Sequence, residues 1–427
     1  MKKNISFKTF GCRLNTYETE VMRKLSEGSN HENVTVINTC AVTNDAVKKA
    51  KKTIRKIKKT SPKEKILITG CAAQIEPETF LAMPEVSKVF GNTEKLQKSF
   101  WNNRTPNFNK LEISDIMAQK KVSTQSIDKL ESRARAYVQI QNGCDHRCTF
   151  CIIPFGRGNS RSLQADLIVD QVKKLTDVGF KEIVLTGVDI TSWGADLTGS
   201  PKLSFLLKEI IQSNKKLTRL RLSSIDQIEL DDEFFNLFAN EQKLMPHLHL
   251  SLQSGDNLIL KRMKRRHSRE SAIEFCEKVR DRRKDVRFGA DLIAGFPTET
   301  NEMFKNTLKI IDECQLTWLH VFPFSPKNGT PAAKMPQVGG KIINERATLL
   351  REKGASREAI HHKSLLGKKK ILLMEASGVG RTECFTKIKL GDEIPSGKLI
   401  TALVSDECNK NTPNQTLTGV ALSKTTR

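Results

Sequence analysis

The stretch Val138-Gln-Ile-Gln-Asn-Gly-Cys-Asp-His-Arg-Cys-Thr-Phe-Cys-Ile-Ile-Pro-Phe-Gly-Arg-Gly158 decides how the chain is read. A short apolar strand runs into a loop with cysteines at 144, 148 and 151. The spacing Cys-x3-Cys-x2-Cys gathers three thiolates around one point, which suits a cube of iron and sulfide. Three ligands to a four-iron cluster leave one iron without a protein ligand. An iron held open in this way can chelate the amino and carboxylate groups of a substrate. The competing reading is a structural zinc knuckle. Zinc loops pair Cys-x2-Cys units or add a histidine, and neither follows here.

Upstream, three strand-like runs each end in a cysteine. Ile5-Ser-Phe-Lys-Thr-Phe-Gly precedes Cys12, Val34-Thr-Val-Ile-Asn-Thr precedes Cys40, and Ile66-Leu-Ile-Thr-Gly precedes Cys71. Between them, Leu14, Val21, Met22 and Leu25 recur at helical spacing, and Ala46 to Lys59 forms a second, very basic helix. The cysteines stand 28 and 31 residues apart, the length of one βα unit. In a parallel sheet with right-handed crossovers all strands end on the same edge. Three cysteines at successive strand ends therefore meet and form a second three-thiolate site. Three unconnected buried thiols are the alternative, and their equivalent placement argues against it. A further helix (77–81) and strand (86–92) complete a small flavodoxin-like α/β domain over residues 1–125, ending in a polar linker from about residue 97.

Downstream, six strand candidates alternate with amphipathic helices across residues 130–364. They are 136–141, 182–187, 219–223, 247–251, 286–294 and 318–322. Alternating βα units give a parallel sheet, and six strands rather than eight argue for a partial (βα)6 barrel open on one side. The cysteine loop follows the first strand, on the carboxyl-end face where barrel chemistry sits. Thr186, Gly187, Asp189, Ser223, Gln253, Ser254, Asp291 and Gly295 are the strand-end residues expected there. His247 and His249 alternate along one strand, either as proton donors at the mouth or as a hydrogen-bonded structural pair. Cys276, Cys314, Cys384 and Cys408 stand alone and read as ordinary thiols. Over residues 365–427, short strand-like runs separated by glycines read as a small β-barrel.

The 427 residues carry 71 basic and 48 acidic side chains, a net charge of +23. That excess favours a polyanionic partner, RNA first. Two basic segments are the candidate phosphate contacts: Lys48, Lys52, Arg55 and Lys59 on the second helix, and Lys261, Arg262, Arg265 and Arg266 beside the barrel mouth. No run approaches the ~20 apolar residues of a membrane span, and the first residues lack the apolar core of a signal peptide. Ten cysteines without an export signal point to a reducing compartment. A cytoplasmic protein with no membrane contact is expected.

Several motifs carry a family resemblance. They are Phe10-Gly-Cys-Arg-Leu-Asn-Thr-Tyr-Glu18, the cysteine loop with its aromatic Phe150 running on to Gly156-Arg-Gly-Asn-Ser-Arg-Ser162, Leu185-Thr-Gly-Val-Asp-Ile190, Ser251-Leu-Gln-Ser-Gly-Asp256 and Gly295-Phe-Pro-Thr-Glu299. Together they resemble the radical S-adenosylmethionine (SAM) methylthiotransferases over essentially the whole chain. The resemblance implies two [4Fe–4S] clusters, one on Cys12, Cys40 and Cys71 and one on Cys144, Cys148 and Cys151. It implies SAM at the second, beside Phe150, with Thr186 and Gly187 near its methionyl amine and Gly295, Phe296 and Pro297 near its adenine. The C-terminal barrel resembles the OB-like, RNA-binding TRAM module of this family.

By the same resemblance, SAM cleaved at the open iron yields a 5′-deoxyadenosyl radical, which breaks an aromatic C–H bond that acid–base groups cannot. Sulfur on the other cluster, methylated by a first SAM, is then transferred as a methylthio group. The implied partners are tRNA, a one-electron donor of flavodoxin or ferredoxin type, and a sulfur donor. The motif around Cys12 and the run Phe155-Gly-Arg-Gly-x-Ser-Arg-Ser look most like the branch acting on C2 of N6-threonylcarbamoyladenosine at position 37 of tRNA. Isopentenyladenosine is the alternative substrate, as is a ribosomal-protein aspartate, although no Pro-Lys-Asn follows the first cysteine. A non-catalytic iron–sulfur RNA-binding protein would explain the clusters and charge but not the SAM-like loop.

Overall fold

The computed structural model describes residues 5–29, 32–102, 110–123, 127, 134–375, 378–391, 394–405 and 417–423. Strands β1 (Ser6–Thr9), β2 (Val34–Thr39), β3 (Lys65–Gly70), β4 (Val86–Phe90) and β5 (Leu111–Glu112) form one parallel sheet in that spatial order. Val34–Thr39 is buried at every position, as its run of β-branched residues predicts for a strand covered on both faces. Helix α1 (Arg13–Leu25) buries Leu14, Tyr17, Val21, Met22 and Leu25. Helix α2 (Asn44–Thr60) starts at Thr43, whose hydroxyl accepts from the Ala46 N–H at 3.2 Å, and it buries only Ala50 and Ile54.

The α/β class is as expected, but the strand order is sequential. The reversal between the first two strands of a flavodoxin sheet is absent. One consequence matters for the site: β1, β2 and β3 are immediate neighbours, so their three carboxyl ends lie side by side. The expected linker is more structured than its polarity suggested, since β5 extends the sheet and Trp101 is buried beneath it against Phe90 and Phe100. Its residues 103–109 and 124–125 lie outside the described residues, as does Cys408.

The six expected barrel strands are present: β6 (Ala136–Gln139), β7 (Glu182–Thr186), β8 (Arg219–Leu222), β9 (His247–Gln253), β10 (Arg287–Ala294) and β11 (Leu316–Pro323). The first three pair in parallel, as do the last three, and a bridge between Leu220 and Leu244 joins the two groups. Leu248, Leu250, Leu252, Phe288, Ala290 and Leu292 point outwards into the apolar core. The alternate residues, among them Arg221, His249, Asp291 and His320, fill the lumen. Cys276 and Cys314, separate in sequence, are neighbours in this core.

Strands β12 (Lys369–Met374), β13 (Val379–Arg381), β14 (Lys387–Leu390), β15 (Leu399–Ser405) and β16 (Leu417–Ser423) close into a barrel in the order β12-β13-β14-β16-β15. This barrel stoppers the amino end of the larger one. Phe385, at φ +76° in the turn before β14, stacks on His247 at 5.2 Å, with the guanidinium groups of Arg381 and Arg221 4.3 and 4.7 Å from its ring. Arg219 and Arg221 also donate to the carbonyls of Ile371 and Glu383. Among the described residues no helix is long and apolar enough to cross a membrane.

Beneath that stopper Glu182 is fully buried, 2.8 Å from Arg135, 3.1 Å from Arg221 and 3.8 Å from Arg219. Burial alone would raise its carboxyl, but Arg221 and Arg135 bring it from the ordinary 4.5 down to about 2. A depressed carboxylate pKa stabilises the fold fully above the unfolded value, and that stability is lost as pH falls towards the folded value. Glu182→Gln should therefore cost about 3 kcal/mol at neutral pH, by leaving buried arginines without their carboxylate. It should also flatten the pH dependence between 4.5 and 2. Urea denaturation across a pH series measures both effects.

Candidate active site

The first cysteine trio assembles on the neighbouring ends of β1, β2 and β3. Cys12 is the N-cap of α1, Cys40 follows β2, and Cys71 is the first residue of helix α3 (Cys71–Ile75). Gly11, at φ +98°, lets the Cys12 loop ride directly over Cys40. A Cβ at that position would sit 2.7 Å from the Cys40 Cβ and 2.9 Å from its Sγ.

Arg157, fully buried, reaches this trio from the other domain, and its Nε donates to Cys71 Sγ at 3.1 Å. Its terminal nitrogens donate to Glu18, at 2.9 Å for Oε2, and to Asn15. Glu18 also takes Lys95 Nζ at 2.6 Å, and Lys95 donates in turn to Asn92 Oδ1. Asn92 Nδ2 returns across the interface to the Gly156 carbonyl at 2.6 Å. Burial raises the Cys12 thiol, and burial with the neighbouring Cys71 pushes Cys40 up to about 11. A bound polycation would favour the thiolate forms of such groups. A three-sulfur donor set of this kind fits a [4Fe–4S] cube.

The second trio lies on the loop that follows β6. Cys144 N–H donates to the Gly158 carbonyl at 3.0 Å and Cys151 N–H to the Cys148 carbonyl at 3.0 Å. Thr149 ties the loop to the segment after β9, its N–H donating to the Met263 carbonyl and its hydroxyl to the Arg262 carbonyl. Gln141 locks the loop to the end of β7, since its Nε2 donates to the Gly143 carbonyl and its Oε1 accepts from Val188 and Asp189 N–H. Gly187 is pressed so close that a Cβ there would sit 2.9 Å from the Gln141 carbonyl. Arg265 Nη1 stands 3.8 Å from Cys148 Sγ, held by Asp226 and the Ser251 carbonyl at 2.8 Å each.

Burial pushes Cys151 up to about 11, with Cys148 adding to the effect, and burial with Asp189 raises Cys144 further. This donor set also fits a cube. His146, hydrogen-bonded to Asp189 at 2.8 Å and facing Glu229, is raised to about 10 by those carboxylates. The two trios face one another. Helix Ile153–Arg157 lies on α3, where a Cβ on Gly156 would touch Cys71 at 3.4 Å, and the Cys71 sulfur contributes to the rise at Cys151.

The remaining expected residues divide into those at the mouth and those away from it. Thr186 and Gly187 end β7 beside the cysteine loop, the Thr186 carbonyl accepting from Ile140 N–H at 2.9 Å. Phe150 packs edge-on against Phe296 at 6.4 Å. Gly295, Phe296 and Pro297 are all buried after β10, and the Phe296 ring is enclosed by Ile259, Met263 and Phe324. Any cofactor contact from Phe296 is therefore through its backbone.

His247 is not at the mouth. It lies at the stoppered end under Phe385, where burial and Arg221 push its pKa well below the usual imidazole range. Asp291 is inside the lumen, one oxygen shared by His249 at 2.9 Å and His320 at 3.1 Å. Lys48, Lys52, Arg55 and Lys59 line one exposed face of α2. In the second basic segment Arg262 binds Thr298, Arg265 binds Asp226, and the exposed Arg266 binds Glu229, while Lys261 is exposed and, among the described residues, has no hydrogen-bond or ion-pair partner. Sequence reading missed Arg157, Glu18, Lys95 and Gln141. Glu18 and Arg157 lie inside the quoted motifs, but nothing local pairs them.

Comparison with known proteins agrees with this geometry. Residues 138–311 match the radical SAM superfamily, and residues 4–91 match the uncharacterized protein family UPF0004. The threonylcarbamoyladenosine tRNA methylthiotransferase MtaB of Rickettsia prowazekii is 50% identical over 92% of this chain and 93% of its own. The tRNA-2-methylthio-N(6)-dimethylallyladenosine synthase of Erythrobacter litoralis is 31% identical over 93% and 94%. Among solved structures, the radical SAM methyltransferase TsrM of Kitasatospora setae overlays with a TM-score of 0.51 at 16% identity, covering 75% of this chain and 67% of its own. That likeness is one of fold.

The buried bridge between the trios makes a direct prediction. Arg157→Met leaves Glu18 with Lys95 alone and should destabilise the protein by about 3 kcal/mol in urea denaturation. Arg157→Lys should recover less than half of the loss, because an ammonium cannot reach Cys71, Asn15 and Glu18 together as the planar fork does.

Proposed function

Since the chain belongs to the radical SAM methylthiotransferases of the threonylcarbamoyladenosine type, we propose that it places a methylthio group on C2 of N6-threonylcarbamoyladenosine 37 in tRNA with two [4Fe–4S] clusters. Cys144, Cys148 and Cys151 would hold the SAM-binding cluster, and Cys12, Cys40 and Cys71 the sulfur-bearing one. The observation that carries this reading is the pair of cysteine trios facing one another across the Arg157 bridge. When bound, the clusters and SAM supply a carbon radical and a transferable sulfur, chemistry that side chains cannot provide.

The chain's own residues orient and enclose. Gln141 fixes the cysteine loop against the strand ends where Thr186 and Gly187 would meet SAM. Phe150, packed on Phe296, and the buried Gly295-Phe296-Pro297 turn would form the wall on the adenine side. The barrel is stoppered at its amino end by Phe385, so substrate enters from the mouth. Lys48, Lys52, Arg55 and Lys59 would run along the tRNA backbone, with Lys261 and the C-terminal TRAM-like barrel as further contacts. Residues 1–125, 130–364 and 365–427 are the three units of this division of labour. A one-electron donor of flavodoxin or ferredoxin type and a sulfur donor complete the cycle in the cytoplasm.

Cys12→Ala tests the separation of roles. Anaerobically reconstituted protein should lose about four iron atoms per chain and still form 5′-deoxyadenosine from SAM and reductant. Mass spectrometry of the tRNA nucleosides should find no methylthiolated threonylcarbamoyladenosine. Loss of both reactions in a folded protein that keeps its other cluster would count against two sites with separate tasks.

A further inference from the structure

A cavity of about 220 Å³ opens where the first sheet meets the cysteine loop. Its walls are built next to three of the cluster cysteines, from Ala41 beside Cys40, Ala72 beside Cys71 and Ile152 beside Cys151, with Val47 and Ile75 adding apolar surface. Lys327 projects into it from the loop after β11. That loop is fixed: Thr330 N–H and Oγ1 donate to the Lys327 carbonyl at 3.1 and 2.7 Å, and Ala332 N–H donates to the Thr149 carbonyl at 2.9 Å.

Lys327 is only 8% exposed, and among the described residues its ammonium donates one hydrogen bond, to Asn44 Oδ1 at 2.8 Å. An ammonium carries three donors, so two remain for a further acceptor. Glu76 also lines the cavity, beyond ion-pair distance of Lys327 but near enough to favour its charged form. Asn44 opens α2, whose amino end adds partial positive charge, and Lys48 lies one turn further on. A largely covered ammonium that is hydrogen-bonded only to a neutral amide, with its nearest carboxylate out of ion-pair reach, keeps two donors directed at an open cavity where an anion could meet them.

Resting on the tRNA reading above, we propose that this cavity is an oxyanion subsite for the substrate nucleotide, with Lys327 as the residue that holds the anion. The threonylcarbamoyl group offers a carboxylate, and the same nucleotide offers a phosphate. Both present oxygen acceptors that an ammonium can meet. The apolar walls suit the methyl group of the threonyl moiety.

The test measures binding by the reconstituted holoenzyme, without SAM or reductant, to anticodon stem-loops. These carry threonylcarbamoyladenosine at position 37, its neutral carboxamide, unmodified adenosine, or threonylcarbamoyladenosine next to a methylphosphonate. The wild type should bind the fully anionic RNA about tenfold tighter than the carboxamide if the carboxylate is the anion. It should bind it about tenfold tighter than the methylphosphonate if the phosphate is. Tenfold corresponds to about 1.4 kcal/mol. Lys327→Met should erase that ratio and Lys327→Arg should keep most of it. Equal wild-type binding to all four RNAs overturns the subsite, as does a Lys327→Met variant that weakens all four equally. Product analysis with the wild type separates the two levels. Absence of methylthiolation on the threonylcarbamoyladenosine RNA sinks the functional reading, whereas product without a binding ratio sinks the subsite alone.

Discussion

The architecture turns on one buried guanidinium. Arg157 leaves the helix after the cysteine loop, crosses into the N-terminal sheet, and meets Cys71, Asn15 and Glu18 there. A guanidinium in that position is tolerable only while its carboxylate and acceptors stay in place, because an uncompensated buried charge costs several kcal/mol. Glu18 is in turn held by Lys95, and Lys95 by Asn92, which closes the circuit on the Gly156 carbonyl. The circuit runs through both domains twice, so neither can rotate against the other without breaking charge-assisted bonds. Gly156 lets α3 pack close, since a Cβ there would stand 3.0 Å from Ile75 Cδ1 and 3.4 Å from Cys71. The distance between the two trios is therefore set by the reach of one arginine rather than by a linker.

A second charged cluster does equivalent work at the opposite end. Glu182 organises Arg135, Arg219 and Arg221, and the guanidinium groups of Arg135 and Arg221 with His247 make the seat for Phe385. The C-terminal barrel is thereby both anchored and used as a stopper. In the middle of the lumen, Asp291 accepts from His249 and His320, so this level of the barrel is polar but internally satisfied. With the amino end shut, the open mouth beside the cysteine loop is the remaining approach to the barrel interior.

What could be read from the sequence was whatever topology or spacing dictates locally. Strand periodicity placed six barrel strands, and the recurrence of a cysteine after β1, β2 and β3 implied their meeting, because parallel strands share an edge. The strand order was not readable, since the same periodicity serves a sequential sheet and a reversed one. Nor were the internal ion pairs. Arg157 and Glu18 are separated by 139 residues, and in sequence each is an ordinary charged residue. The string Lys261–His267 was legible only in part: Lys261, Lys264 and Arg266 are exposed, but the partners Thr298, Asp226 and Glu229 of Arg262, Arg265 and Arg266 come from distant segments. On α2 the local pattern sufficed, because Ala50 and Ile54 fix the inner face and leave the lysines outside.

Those internal pairings sharpen the meaning of the net charge. Glu18 serves both Arg157 and Lys95, and Glu182 serves Arg135, Arg219 and Arg221, so these buried bases outnumber their acids. A small part of the excess of +23 is therefore internal, and exposed basic side chains such as those of α2 carry much of the rest. Helix α2 concentrates eight lysines and arginines against one acid, Asp45, within 17 residues. Its first residue stands four positions after Cys40, and its amino end lines the cavity beside Lys327. A polyanion attracted to this helix at long range would thus be brought close to the two trios. The helix that concentrates the positive charge starts next to the first trio, because β2 must end beside β1 and β3 for that trio to exist.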